Sequence, residues 1–119
     1  MSNAGSRRGG DGSSDEVLLV LSNLPDLASA ESLAQALVEQ RLAACVNIMA
    51  PCRSVYRWEG RLEQAAEVPL LAKTTRDRYA ALEACIRSRH PYTLPEIIAV
   101  RVECGLAEYL RWVGDETAG

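Results

Sequence analysis

Residues 44–74 read ACVNIMAPCRSVYRWEGRLEQAAEVPLLAKT, two extended runs joined by a short break. The first run is Ala44–Trp58, the second is Arg61 to about Thr74, and Glu59-Gly60 stands between them. Glycine supplies the positive φ that a two-residue hairpin turn demands, so the spacing predicts a hairpin in which Trp58 faces Arg61. That register sets Pro51 nearly opposite Pro69. Proline cannot donate to a ladder and is tolerated only at an edge or a bulge. Both runs are therefore expected to be interrupted at one height, at a bend dividing a base attached to the body from a projecting arm. At ~3.3 Å per residue, Ala44–Trp58 spans about 50 Å. A domain of this size has a radius of gyration of about 13 Å and is about 35 Å across, so the arm outruns its body.

Upstream, Glu16 to about Ser22 is apolar on both faces, as a covered central strand is. Asn23-Leu24-Pro25-Asp26 reads as a turn, and Ser29 as the N-cap of a helix with Ala30, Leu33, Ala34, Leu37 and Val38 on one stripe. Downstream, a second helix follows Thr75, turns Tyr79, Leu82 and Ile86 inward, and ends at Pro91. Pro95–Val102 reads as a β-branched last strand, and Gly105 opens a final helix with Leu106, Tyr109, Leu110 and Val113 on one side. The order β-α-β-β-α-β plus a C-terminal helix, with right-handed crossovers, is the ferredoxin-like form of the α/β (α+β) class.

At 119 residues there is room for one domain, residues 16–119, behind a Gly/Ser-rich leader at residues 1–15 that reads as a disordered tail or an expression remnant. Phenylalanine is absent, so the core must be aliphatic. A net charge of −3 argues against a nucleic-acid partner, which needs a basic face to neutralise phosphates. No apolar run approaches the ~20 residues of a membrane span. With no export signal visible, Cys45, Cys52, Cys85 and Cys104 are expected to be reduced thiols in a cytoplasmic protein, buried as small apolar residues. Their spacing lacks the close pairs of a structural zinc site, and Cys45 and Cys52, seven apart on an extended run, are expected on opposite faces.

The arm carries Val55, Tyr56, Trp58 and Leu62, a poor choice for a ribbon in water. An isolated hairpin is marginal and bare strand edges invite pairing. Val55, Tyr56 and Trp58 are therefore expected to contact a second copy in a closed symmetric assembly. Strand physics alone does not choose between dimer, trimer and ring.

Five separate segments, Arg41–Asn47, Ser54–Gly60, Glu67–Pro69, Lys73–Thr75 and His90–Glu96, together resemble the CutA family of divalent-cation tolerance proteins, in that family's order and spacing. The resemblance implies a ferredoxin-like homotrimer built by strand pairing between subunits. It implies a role in divalent metal tolerance, with weak binding of copper or another divalent cation that is not required for folding. A cleft between subunits is the implied site, drawing here on Trp58, Lys73, Glu96, Tyr109 and Trp112, with His90 as the metal residue. Copper ligands associated with some bacterial members are a cysteine after the first strand and two adjacent histidines. The matching positions are Ser22, Arg89 and His90, so two of the three donors are replaced.

The residues themselves admit a plainer reading of His90, as a helix cap or a partner for a carbonyl. Glu59, Glu63 and Glu67 read as a solvated charged surface or as a weak carboxylate site for divalent ions. Lys73 and Glu96 are unusual charges on apolar strands, and either pair with each other or orient a ligand. No enzyme is expected: acylphosphatases share this strand order, but Ser22–Asp26 has neither the arginine nor the glycine of a phosphate cradle. RNA-recognition domains share it too, but Glu67–Lys73 holds no aromatic for stacking a base. The remaining alternative is a PII-like trimeric sensor that takes a small anionic metabolite between subunits, using Lys73 and Arg89.

Overall fold

The computed structural model describes residues 16–119, and the leader at residues 1–15 lies outside them. The elements are β1 (Val17–Leu24), α1 (Leu27–Glu39), β2 (Cys45–Ile48), β3 (Cys52–Trp58), β4 (Arg61–Thr75), α2 (Arg76–Arg89), β5 (Ile98–Arg101) and α3 (Ala107–Glu116). The sheet runs β2-β4-β1-β5 with every pairing antiparallel, and β3 continues beside the far half of β4. Counting β2 and β3 as one interrupted strand, this is the expected ferredoxin-like order.

Alternation along β1 and β4 explains which face is covered. Val20 and Leu24 on β1, with Val68, Leu70 and Ala72 on β4, join Leu33 and Leu37 of α1 and Leu82 and Ile86 of α2 in one core. Leu19, Leu21, Pro69, Leu71 and Lys73 point the other way and are half-exposed or more. Two helices thus cover one face, α3 also rests against β4 and β1, and the side carrying Leu19, Leu21 and Leu71 is left more open. At the foot of the sheet, Arg76 and Arg101 lie 2.8 and 3.5 Å from the buried Glu16 carboxylate.

The hairpin turn is as expected. Trp58 pairs with Arg61, and Glu59 (φ 51°) and Gly60 (φ 80°) both take positive φ, as a type I′ turn requires. The interruption is one-sided. The first run breaks at residues 49–51, between β2 and β3, whereas β4 passes through Pro69 unbroken. In an antiparallel strand the N–H and C=O of a residue point to the same side. Pro69 accepts from Met49 N–H (2.9 Å), so its missing donor faces the gap at residues 49–51, where the neighbouring strand asks for none.

That gap changes a parity. Ile48 faces Leu70 and Cys52 faces Glu67, so four steps on one strand oppose three on the other, which is a β-bulge. Cys45 and Cys52 then both face odd-numbered residues of β4, Lys73 and Glu67, and project from the same side of the sheet rather than from opposite sides.

Several boundaries also move. The true N-cap of α1 is Asp26, not Ser29: its Oδ1 accepts the Ser29 N–H at 2.8 Å, and Ser29 Oγ donates to the Asp26 carbonyl. Asp is the stronger cap, and this one starts the helix three residues before the apolar stripe begins. Asn23 and Leu24 belong to β1 rather than to a turn. The last strand is only Ile98–Arg101, and as an edge strand it leaves Ile98 and Val100 each 52% exposed. On α3, Val113 is buried and Leu110 half-buried, but Leu106 and Tyr109 face outward. The cysteines are less buried than expected: Cys45, Cys52 and Cys85 are half-buried, Cys104 is exposed in the connection after β5, and all four are free thiols.

The molecule measures 47 × 27 × 23 Å with a radius of gyration of 15.3 Å, against about 13 Å for a compact chain of this length. The excess is the arm, β3 with residues 61–67 of β4.

Candidate functional site

Where the arm leaves the body, three distant segments meet. Loop 90–97 crosses the end of β1, where β4 continues into the arm with β3 as its one neighbour. His90 Nε2 lies 2.6 Å from the Asn23 carbonyl, and Nδ1 accepts the Tyr92 N–H at 3.2 Å. Nδ1 thus carries the lone pair and Nε2 the hydrogen that Asn23 receives. Tyr92 Oη donates to the buried Glu67 at 3.0 Å, and Asn23 Nδ2 donates to Glu96 at 3.0 Å. Burial, and then the Glu67 carboxylate, push the Tyr92 hydroxyl up to about 12, and the more distant Tyr56 and Asp26 act weakly in the same direction. Tyr92 is therefore a fixed proton donor at neutral pH.

His90, expected as the metal residue, is buried with both ring nitrogens engaged. It acts as a clip between the end of β1 and the loop, the plainer of its two readings. Ser22, at the position of the family's cysteine, has a buried hydroxyl with no partner among the described residues, and Arg89 is an exposed cation in the last turn of α2. A neutral hydroxyl, a guanidinium and an engaged imidazole do not make a copper site. Among the described residues, no three His, Cys, Asp or Glu side chains gather closely enough to hold a metal ion.

Lys73 occupies a second place, on the open face beside β2. Its Nζ donates to Asn47 Oδ1 and lies 4.0 Å from Cys45 Sγ. Lys73 faces Leu19 and Asn23 faces Pro69, four residues farther along β1, which is about 13 Å at strand spacing. Lys73 and Glu96 therefore serve separate partners and do not pair with each other.

The aromatic residues occupy two more places. Trp58 is at the tip of the arm, on the last rung before the turn. Tyr109 and Trp112 stack on α3 with ring centroids 5.5 Å apart, each 41% exposed. Arg41 fixes α3: standing at φ 58° just past α1, it donates to the carbonyls of Asp115 (2.8 Å) and Ala118 (3.1 Å). Within one chain the expected cleft residues thus fall at the arm tip, the arm base, the open face and α3. Sequence reasoning missed Asn23, Tyr92 and Asn47, the uncharged residues that hold the charged ones. The only signal for Asn47 and Tyr92 was their place in the same short segments as Cys45 and His90, and Asn23, in the run read as a turn, had none.

The family described as CutA1 divalent ion tolerance protein matches residues 18–116. The Divalent-cation tolerance protein CutA of Thermus thermophilus is 43% identical over 103 residues, which are 87% of this chain and 98% of that one. Among solved structures, CutA from Xylella fastidiosa superposes with a TM-score of 0.84 at 45% identity, covering 87% of this chain and 99% of the other. A protein from Archaeoglobus fulgidus, described as a periplasmic divalent cation tolerance protein CutA, gives 0.83 at 36% identity, covering 86% and 99%.

Proposed function

The chain belongs to the CutA1 divalent ion tolerance protein family, and we propose that it serves divalent-cation tolerance as a cytoplasmic homotrimer and not as an enzyme. The observation that carries the assembly is the arm. Val55 and Leu62 are 63% and 70% exposed on a ribbon whose outer edges have no partner among the described residues. Apolar side chains on bare strands in water are covered by association. Weak binding of copper or another divalent ion falls in this reading to the solvated carboxylates of the arm, Glu59 and Glu63, and not to an imidazole site. No metal is needed to hold the fold, whose core is wholly aliphatic in one chain.

Cells lacking the protein test the role directly. Their growth in elevated copper or zinc is expected to recover with the intact chain and not with a chain whose arm is cut back at residues 53–66. Equal rescue by both would remove the arm from the function. Calorimetry of the intact protein is expected to give weak heats with copper, unchanged in His90→Ala. Tight saturable binding lost in that variant would contradict the reading.

One observation favours a second reading. The Lys73 ammonium is held by Asn47 on the open face, where an anion can reach it. A PII-like sensor would use it for a small anionic metabolite. A nucleotide panel separates the two, since metabolite binding lost in Lys73→Ala supports the sensor and no binding leaves cation tolerance standing alone.

A further inference from the structure

We propose that Cys45 and Lys73 form a peroxide-responsive modification site, in which oxidation joins Cys45 Sγ to Lys73 Nζ through one oxygen atom and braces the root of the arm. The site lies wholly within one chain, so it stands apart from the assembly and the cation tolerance proposed above.

Strand register brings the two residues together. Cys45 on β2 pairs with Lys73 on β4, and Leu19 on β1 pairs with Lys73 from the other side. Residues directly opposite in an antiparallel pair have Cβ atoms about 5 Å apart, within reach of a lysine stem. Leu19 offers the ammonium no acceptor, so it turns toward β2. Asn47, two residues past Cys45 and thus on the same face, takes one of its hydrogens through Oδ1. Nζ then lies 4.0 Å from Cys45 Sγ. No carboxylate among the described residues reaches Nζ at ion-pair distance. Cys45 and Lys73 are both half-buried, open to a molecule as small as hydrogen peroxide.

The other thiols lack this neighbour. Cys104 is exposed, Cys52 Sγ has the Ser54 hydroxyl at 3.8 Å, and Cys85 packs against the core on the covered face. Exposure alone would send oxidation to Cys104, whereas a side-chain nitrogen lies against the sulfur at Cys45. A sulfenic acid formed at Cys45 also has no resolving thiol on its face. Cys52 pairs with Glu67, six residues along β4 from Lys73, or about 20 Å at strand spacing, too far for a disulfide. The nucleophile in reach is the amine.

The chemistry balances with two peroxides per bridge. The Cys45 thiolate attacks one oxygen of the first, the O–O bond breaks, and hydroxide leaves and takes a proton to become water. The sulfur, two electrons poorer, is now a sulfenic acid. The Lys73 ammonium gives its extra proton to solvent, and an O–N bond forms between the sulfenic oxygen and Nζ. One O–H and one N–H bond break, and the second peroxide takes those two protons and two electrons and leaves as two waters. Thiol, amine and two peroxides thus give the bridge and three waters. Two dithiol molecules return four electrons, cleave the S–O and N–O bonds, and restore thiol, amine and one water. The bridge closes residues 45–73 into a ring that contains the bulge, β3 and the turn, and it ties β2 to β4.

The test treats the full chain with hydrogen peroxide, removes the excess with catalase, caps remaining thiols with iodoacetamide and maps tryptic peptides by mass spectrometry. The expected product is peptide 42–53 joined to peptide 62–76, uncut at Lys73, at their summed mass plus one oxygen less two hydrogens. Fragment ions are expected to place the link at Cys45 and Lys73, a denaturing gel to keep it within one chain, and dithiothreitol to remove it. Lys73→Arg, which keeps the charge without a nucleophilic amine, and Cys45→Ser are each expected to lose the link, and Cys52→Ser to keep it. No link in the intact chain, a link through Cys52 or Cys104, or one joining two chains would overturn the site. So would a link that survives in Lys73→Arg. A pair at the summed mass less two hydrogens, a direct S–N bond, would overturn the oxygen bridge. Should a variant fail to fold, the intact chain decides by itself.

Discussion

Strand β4 belongs to two different environments. From Val68 to Thr75 it is flanked by β1 and β2, and Val68, Leu70, Ala72 and Thr74 are buried against two helices. From Arg61 to Glu67 it has β3 alone, and Glu67, tied to Tyr92, is its one buried residue there. The near half obtains its stability within the chain. The far half has ladder hydrogen bonds and little apolar cover, and an isolated hairpin is marginal on those terms. What separates them is the cover each finds in its own chain, so their substitutions should be read by different measurements, fold stability for one and assembly for the other.

The largest effect is expected in the body. Leu37 of α1 is fully buried against the sheet, and Leu37→Ala is expected to cost about 2–5 kcal/mol, read as a lowered midpoint in denaturant. An arm residue with the same cost to the protomer would erase the distinction between the halves. Next comes Trp58→Ala, expected to weaken assembly by about 2 kcal/mol, roughly thirtyfold in dissociation constant, with little change in protomer stability. Dilution series in the analytical ultracentrifuge measure this, and unchanged assembly would place Trp58 outside the contact.

Gly60→Ala sharpens the view of the turn. Nothing crowds a Cβ there, so the cost is the positive φ alone, about 1 kcal/mol, while Glu59→Gly at φ 51° is expected to gain a fraction of that. Hydrogen exchange of the arm amides is expected to register both changes before the body amides do.

Smaller still is the alkaline effect of Tyr92 at the junction. Folding raises this hydroxyl from 10.0 to about 12, so the folded chain holds the proton more tightly. The stabilisation is whole below pH about 10 and is lost as pH rises toward 12. Tyr92→Phe is expected to flatten that alkaline decline. The least effect is at Asp26, whose carboxyl is held below its ordinary 3.8 by the Ser29 N–H. Its contribution is present above that value and lost as pH falls through the folded one, and Asp26→Ala is expected to remove this acid dependence from thermal melts.

The architecture was largely legible because β1, β4 and α1 carry their periodicities openly, and Glu59-Gly60 announces its turn. The bulge was harder to read. Two prolines at one height suggested symmetric interruption, but only the relative direction of each missing N–H tells which strand yields. Composition does not tell an edge strand from a central one, so the β-branched run of the last strand gives no sign that Ile98 and Val100 lie at the rim. At the site, charged residues drew notice while Asn23, Asn47 and Tyr92, which fix them, did not. The tautomer of His90 depends on a carbonyl 67 positions away, a contact that no local pattern encodes.

The arm's need for cover is tested most directly by the molar mass of the intact chain in solution at micromolar concentration. Light scattering is expected to return three chains of 13.0 kDa, about 39 kDa, across the eluting peak. A monodisperse peak at 13.0 kDa, with the arm intact and the chain folded, would contradict the account.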